Sequence, residues 1–347
     1  MKSPRTHLIL HDQREQRMSD TTGKTGKRKN RTQQLQTILS YKDVSIVIIT
    51  AVLFLIFSLI NHVFLTKENL YIIIKSMPEL GLVAIGMTML IISGEFDLSV
   101  GSTFAFAPFI MTILKERVGW NGLASFSACI LVGIAIGCIN GAVTTKIGIP
   151  SFITTLGTMM AWRGAVLLVS SGFPQVFQRD LLIGKVFAGS LSGFPIQFLW
   201  FIFFSVIMWV ILENYRFGNW TYVTGGNKQA AIALGIPVDL VKIINFMVVG
   251  ALAALAGAIQ VFRMGSGYAI AGQGLELQAI GATVIGGTLL TGGSGTIIGT
   301  IMGTIIIYSV ENILILSRAP AFWFRTFIGV IIIIAVSLHV LIRGRKA

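Results

Sequence analysis

Ten stretches of the chain are apolar enough and long enough to be read as bilayer-spanning helices, which need about 20 mostly apolar residues. They fall near residues 44–62, 72–93, 99–115, 122–145, 151–171, 195–213, 240–262, 275–290, 295–316 and 321–342. The third, fifth and eighth are the weakest. The eighth, built on AIGATVIGGTLL, is short and glycine-rich and suits a re-entrant element. The pattern predicts an all-α fold: a polytopic membrane helical bundle of about ten transmembrane helices with interrupted or re-entrant elements.

Composition agrees with that reading. Only 12% of the 347 residues are charged, about half the usual share in a soluble domain. The formal charge of +13 is unevenly placed: residues 1–43 hold ten Lys/Arg against four Asp/Glu, and residues 44–342 hold fourteen against ten. A basic tail beside a span reports orientation rather than nucleic-acid binding. The segment Ser19–Gln36 is polar and basic and is predicted to be disordered. Residues 1–43 are therefore read as a cytoplasmic tail, 44–342 as the membrane domain and 343–347 (Arg343-Gly-Arg345-Lys346-Ala) as a cytoplasmic C-terminus. Both ends on one side require an even number of crossings, and ten satisfies that. Lys146 and the segment 214–240 then lie in the cytoplasm, and 172–194 lies outside. The tail is too long and polar to be the start of a cleavable signal peptide, so the first span is read as retained. Cys129 and Cys138 sit in one apolar stretch and read as small hydrophobes. The four histidines are scattered, so no metal centre is expected.

The places where the apolar pattern breaks carry the chemistry. In Gly94-Glu95-Phe96-Asp97-Leu98-Ser99-Val100-Gly101-Ser102 two carboxylates lie between two apolar runs. Either this is a solvated loop in which Asp97 or Ser99 caps the next helix, or it is a helix break at the pathway, where ionisable groups default to functional candidates. From Asn140 to Thr158, Lys146 suits a cytoplasmic anchor and Pro150 suits a first helical turn. Thr154, Thr155 and Thr158 share a face, with Arg163 further along. They either make interhelical hydrogen bonds or line a polar path. Between Arg216 and Pro237, Gly225-Gly226 punctuates the chain, Asn227 is a natural N-cap, Lys228–Leu234 is a short helix and Gly235 is a natural C-cap. Gly295, Gly299 and Gly303 have the spacing of a tightly packed helix face. Gly86–Gly94 and Gly281–Gly287 are both apolar helices that end in a glycine-rich polar break, one in each half, as at the substrate region of many transporters. Glu276 and Glu311 are isolated carboxylates, with Arg263 and Arg325 as candidate partners.

On Gly94–Ser102, Asn140–Thr158 with Arg163-Gly164, Gly225–Gly235 and Gly274–Gly303, in that order, the chain resembles the membrane permease subunit of ATP-binding-cassette importers for simple sugars. That branch includes ribose, arabinose, xylose, galactose, rhamnose and autoinducer-2 permeases. The resemblance implies a bacterial plasma (inner) membrane location and import of a monosaccharide or similar small polyol by alternating access. It implies a cytoplasmic ATP-binding subunit, a periplasmic or extracellular sugar-binding protein, and a second permease copy or close paralogue in a dimer. ATP would be used by the partner, with no cofactor in this chain. No Gly-x-x-x-x-Gly-Lys-Ser/Thr phosphate loop occurs in the sequence, and the chain reads as a permease, not an enzyme. Gly225, Gly226, Asn227, Ala230, Ala231 and Gly235 match the family's ATPase-coupling element. Glu95, Asp97, Ser99, Asn140, Thr155, Thr158, Arg163, Gly286 and Gly287 are the candidates for the pathway or its gate. The alternative is an ion-coupled secondary transporter using Glu95, Asp97, Glu276 or Glu311.

Overall fold

The computed structural model describes residues 42–177, 181–320, 323–330, 333, 334 and 337. Residues 1–41, which hold the segment expected to be disordered, the C-terminus at 343–347 and much of the tenth apolar stretch therefore lie outside the described residues. In chain order the helices are α1 (Lys42–Ile60), α2 (Lys67–Ile92), α3 (Val100–Glu116), α4 (Gly122–Ala142, running on through a π-helical turn, Val143–Ile147), α5 (Ser151–Ser170), α6 (Leu181–Ala188), α7 (Ile196–Asn214), α8 (Arg216–Gly226), α9 (Lys228–Ala233), α10 (Val238–Met264), α11 (Leu275–Ile285) and α12 (Ile297–Leu316). Two short antiparallel pairs join loops. Gln175–Val176 pairs with Ser266–Gly267, and Ser190–Leu191 pairs with Phe194–Pro195.

Among the described residues six helices are long and apolar enough to cross a membrane: α2, α4 with its π turn, α5, α7, α10 and α12. The chain is a multi-pass membrane protein. The weak fifth stretch is a full-length helix, α5. The third and eighth are short, for visible reasons. α3 has 17 residues and ends just before Gly119, whose φ is +81°. α11 has 11 residues and ends at Gly286-Gly287, where Gly287 has φ +89°.

The helix at the centre is α2. Its sequence from Met77 to Ile92 is apolar on nearly every face, and every residue in that run is buried. A helix that is hydrophobic all round must be enclosed by others, and α2 packs on α7, α10, α11 and α12. By contrast α5 is largely exposed, with Ile153, Met160 and Leu168 on its open side.

Lipid is as apolar as leucine, so helices associate by close backbone contact rather than by hiding apolar side chains. α4 does this with Gly133, Gly137 and Gly141, spaced every fourth residue. A Cβ on these would run into Gly250 O, Phe246 O and Ile243 Cα of α10. At the α11–α12 contact Gly299 and Gly303 meet Gly286 O and Ala282 O, as their spacing predicts. Gly295 instead faces Thr288 and Ile92. Replacing Gly137 by leucine forces α4 off α10, and overpacking of this kind costs about 1–3 kcal/mol or more. Thermal unfolding in detergent should fall accordingly. Gly184→Ala, at a site with open space around it, should unfold like the parent.

Candidate functional site

The segment read as a cytoplasmic loop is two helices set at a corner. α8 follows α7 after the single extended residue Tyr215, and α9 follows α8 after Asn227. Asn227 is the N-cap: its Oδ1 accepts the Ala230 N–H at 3.0 Å, while its own N–H donates to Val223 O at 2.9 Å. Gly235 takes the left-handed conformation at φ +74° and its N–H donates to Ile232 O. The expected Lys228–Leu234 helix is thus present, one residue shorter, and Arg216–Gly226 is helix rather than loop. Of the coupling candidates, Ala231 is fully buried, and Ala230 is exposed. Ile232 and Leu234, not singled out by the sequence, are apolar and exposed on α9. Ile232 lines an open groove of about 380 Å³ with Lys146, Lys228 and Asp239, beside the Lys146–Asp239 ion pair.

The break between α2 and α3 is not a solvated loop. Asp97 is 1% exposed. Its carboxylate accepts the Ser99 N–H at 2.6 Å and an N–H of the Asn140 side chain at 3.1 Å. The Asn140 amide also donates to Ser99 Oγ at 2.8 Å. Ser99 occupies the N-cap position of α3, but its hydroxyl makes no capping bond. The polar side chains here tie α4 to the break instead of capping the helix. Glu95 is paired with Lys242 of α10, a partner that the sequence left unmarked among the first residues of a long span. Phe96 meets Phe152 of α5 edge-on, with ring centroids 6.3 Å apart.

The second break, between α11 and α12, packs directly against the first. Gly293 N–H donates to Ile92 O at 2.8 Å. Gly225, near the end of α8, lies at the same point: a Cβ there would strike Ile92 O and Gly293 N. Gly226 faces Gly293 more loosely. The two interrupted segments noticed in the sequence therefore meet, with the end of α8 against them.

Further along the bundle, Arg163 gathers three main-chain carbonyls. Nη1 donates to Ala269 O at 2.7 Å and Ala271 O at 2.8 Å, and Nη2 to Gly101 O at 2.9 Å. This holds the non-helical link between α10 and α11 against the first turn of α3. Glu276 is close by: a Cβ on Gly101 would touch both Gly272 O and Glu276 Oε2. The threonines of α5 make neither expected interhelical bond. Thr155 Oγ1 donates to Ser151 O and Thr158 Oγ1 to Thr155 O, within their own helix. Glu276 and Glu311 face one cavity of about 670 Å³, shared with Gln278, Phe324 and Arg325. Arg263 does not serve either of them. It pairs with Glu79 of α2, a buried carboxylate that sequence reading missed although a charge inside the 72–93 stretch was its signal.

The family model described as branched-chain amino acid transport system / permease component matches residues 69–336. Among similar proteins, the ribose import permease protein RbsC of Bacillus subtilis is 37% identical over 83% of this chain and 89% of its own length. The autoinducer 2 import system permease protein LsrC of Photorhabdus luminescens is 34% identical, covering 87% and 90%. The xylose/arabinose import permease protein XylH of Sulfolobus acidocaldarius is 32% identical, covering 84% and 83%. The chain belongs to this permease family.

Proposed function

We propose that the chain is the membrane permease of an ATP-binding-cassette importer that carries a monosaccharide or similar small polyol. The observation that carries this is similarity along nearly the full length to relatives named as import permeases for ribose, xylose/arabinose and autoinducer 2, molecules that share a dense set of hydroxyls. Ten spans with both termini in the cytoplasm of a bacterial inner membrane fit the basic ends of the chain. In this reading ATP is consumed by a separate subunit, a binding protein delivers the sugar from outside, and two permease copies or paralogues enclose the path. The break around Asp97 and Asn140, the residues Thr155, Thr158 and Arg163 of α5, and Gly286-Gly287 border that path. The ion-coupled alternative loses its first candidate, since Glu95 is already neutralised by Lys242.

The α8–α9 corner is the contact with the ATPase. A six-residue helix has too little surface to be stable alone. This one is held by its Asn227 cap and by buried Ala231, and it turns Ile232 and Leu234 outward. Leu234→Asp places a charge on the contact face without touching the inward face. Co-purification with the ATPase subunits and sugar-stimulated ATP hydrolysis should both fall about tenfold or more, as expected for losing an apolar anchor worth about 2 kcal/mol. Unchanged assembly and stimulation in Leu234→Asp would remove α9 from the contact.

A further inference from the structure

Three segments distant in sequence meet at one point with no side chain between them. They are the end of α2 (Ile92–Gly94), the end of α8 (Gly225–Gly226) and the α11–α12 connection (Gly292–Gly293). Gly293 N–H is hydrogen-bonded to Ile92 O at 2.8 Å. A Cβ on Gly292 would lie 2.9 Å from Gly225 O and 3.0 Å from Gly94 Cα, and one on Gly225 would fall on Ile92 O. Gly94, Gly292 and Gly293 all hold φ between +75° and +89°, which glycine alone adopts at little cost.

We propose that this glycine junction is the joint that transmits movement of α8–α9 to both helix breaks, with the three segments travelling as one rigid body. The inference rests on the reading of α9 as the ATPase contact. Contacts made through long side chains yield when a rotamer changes, whereas backbones in van der Waals contact have nothing to yield, and close-packed interiors pass displacement on directly. No flexible linker precedes the junction. Asn227 joins α8 to α9 through bonds on both sides, and the Tyr222 hydroxyl, on α8, donates to Gly295 O at 2.9 Å as a second tie to the α11–α12 connection. Beyond the junction, the α2 break continues into the Glu95–Lys242 pair and the Asp97–Asn140 bond. A push on α9 therefore reaches the end of α2 and the α11–α12 connection together, and α4 and α10 only through those softer side-chain ties.

The test uses the full-length permease reconstituted in lipid vesicles with its ATPase and binding-protein partners, with D-ribose, D-xylose and L-arabinose as probes. Gly225→Ala inserts a methyl group into the joint. We expect an assembled complex in which sugar-stimulated hydrolysis and uptake are reduced about tenfold or more, the range of an ordinary coupling energy. Gly184→Ala, outside the junction and with nothing within 4 Å of its Cβ, should remain coupled. If Gly225→Ala does not assemble, a second measurement decides. Spin labels at Gln229 and Ile298, both exposed, in a Cys138→Ser background should report the same distance with and without ATP while the vesicles transport. A distance that changes between states, or full coupling in Gly225→Ala, overturns the rigid joint. Absence of ATP-dependent uptake of every probe by the parent complex overturns the permease reading, and the joint falls with it.

Discussion

Replacing Glu79 by alanine is expected to destabilise the folded chain by about 3–5 kcal/mol, because it strands a buried cation. Glu79 sits on the enclosed helix α2. Its Oε1 accepts Arg263 Nε at 2.8 Å and Nη2 at 2.8 Å, and Gln260 Nε2 approaches Oε2 at 3.4 Å. The side chains are only 12% and 21% exposed. Around them lie helices rather than water, so an unpaired guanidinium has nowhere to be solvated except by bending outward. Arg263 stands in the last turn of α10, and a long side chain near a helix end can reach toward the interface. That relief places the expected loss at the lower end of the range. Glu79→Gln keeps an acceptor and should lose less. The decisive variant is the double change Glu79→Leu with Arg263→Met, which removes both charges and keeps the volume. It should recover most of the stability lost in Glu79→Ala, as replaced buried pairs commonly do. Unfolding in mixed micelles measures all three. A double variant no better than Glu79→Ala, or a Glu79→Ala protein as stable as its parent, would show that the pair is not what holds Arg263.

What the sequence makes legible follows from what lipid demands of it. Spans need long apolar runs, so α2, α4, α7, α10 and α12 stand out, while α5 reads as weaker than it is. Caps need particular side chains, so Asn227 and Gly235 mark the ends of α9 within a residue. Close helix contacts need small residues, so Gly299 and Gly303 point to the α11–α12 contact. Depth and pairing are not written in local sequence. Gly94–Ser102 looks the same whether it lies in water or inside the bundle. Only Asn140, on the next helix but one, and Lys242, on α10, decide it by arriving at Asp97 and Glu95. The same is true of Glu79 and Arg263, which are linked across most of the chain. Helix α8 was hidden for another reason. Its sequence, Arg216–Gly226, carries three aromatic residues, two threonines and three glycines, poor helix formers, and it is helical because α2, α7 and α10 pack around it. Tertiary packing overrode propensity there, and the residue pattern contains no sign of it.

Arg163→Met is the second large loss expected, and it tests how the non-helical link between α10 and α11 survives inside the bundle. Irregular backbone at membrane depth is tolerated only where protein groups satisfy it. Among the residues 268–274 local turns use Tyr268 O, Ile270 O and Gly272 O. The carbonyls of Ala269 and Ala271 point instead to Arg163, which also takes Gly101 O at the first turn of α3. Each hydrogen bond to a charged group contributes about 1.5–3 kcal/mol, and partial exposure of the guanidinium argues for the smaller value. Losing three therefore removes several kcal/mol from one local element, enough to open it without unfolding the rest. Amides of residues 271–275 should exchange with solvent much faster in Arg163→Met, while those of α2 stay protected. Sugar uptake should be lost along with the seating of α11, because Gly272 and Glu276 then no longer rest on Gly101. Arg163→Lys carries the same charge but lacks the planar fork that reaches three acceptors, so it should fall between the two in both readouts. If exchange at 271–275 in Arg163→Met matched the parent, the link would be held by its own turns and the arginine would be free to serve the transported solute directly.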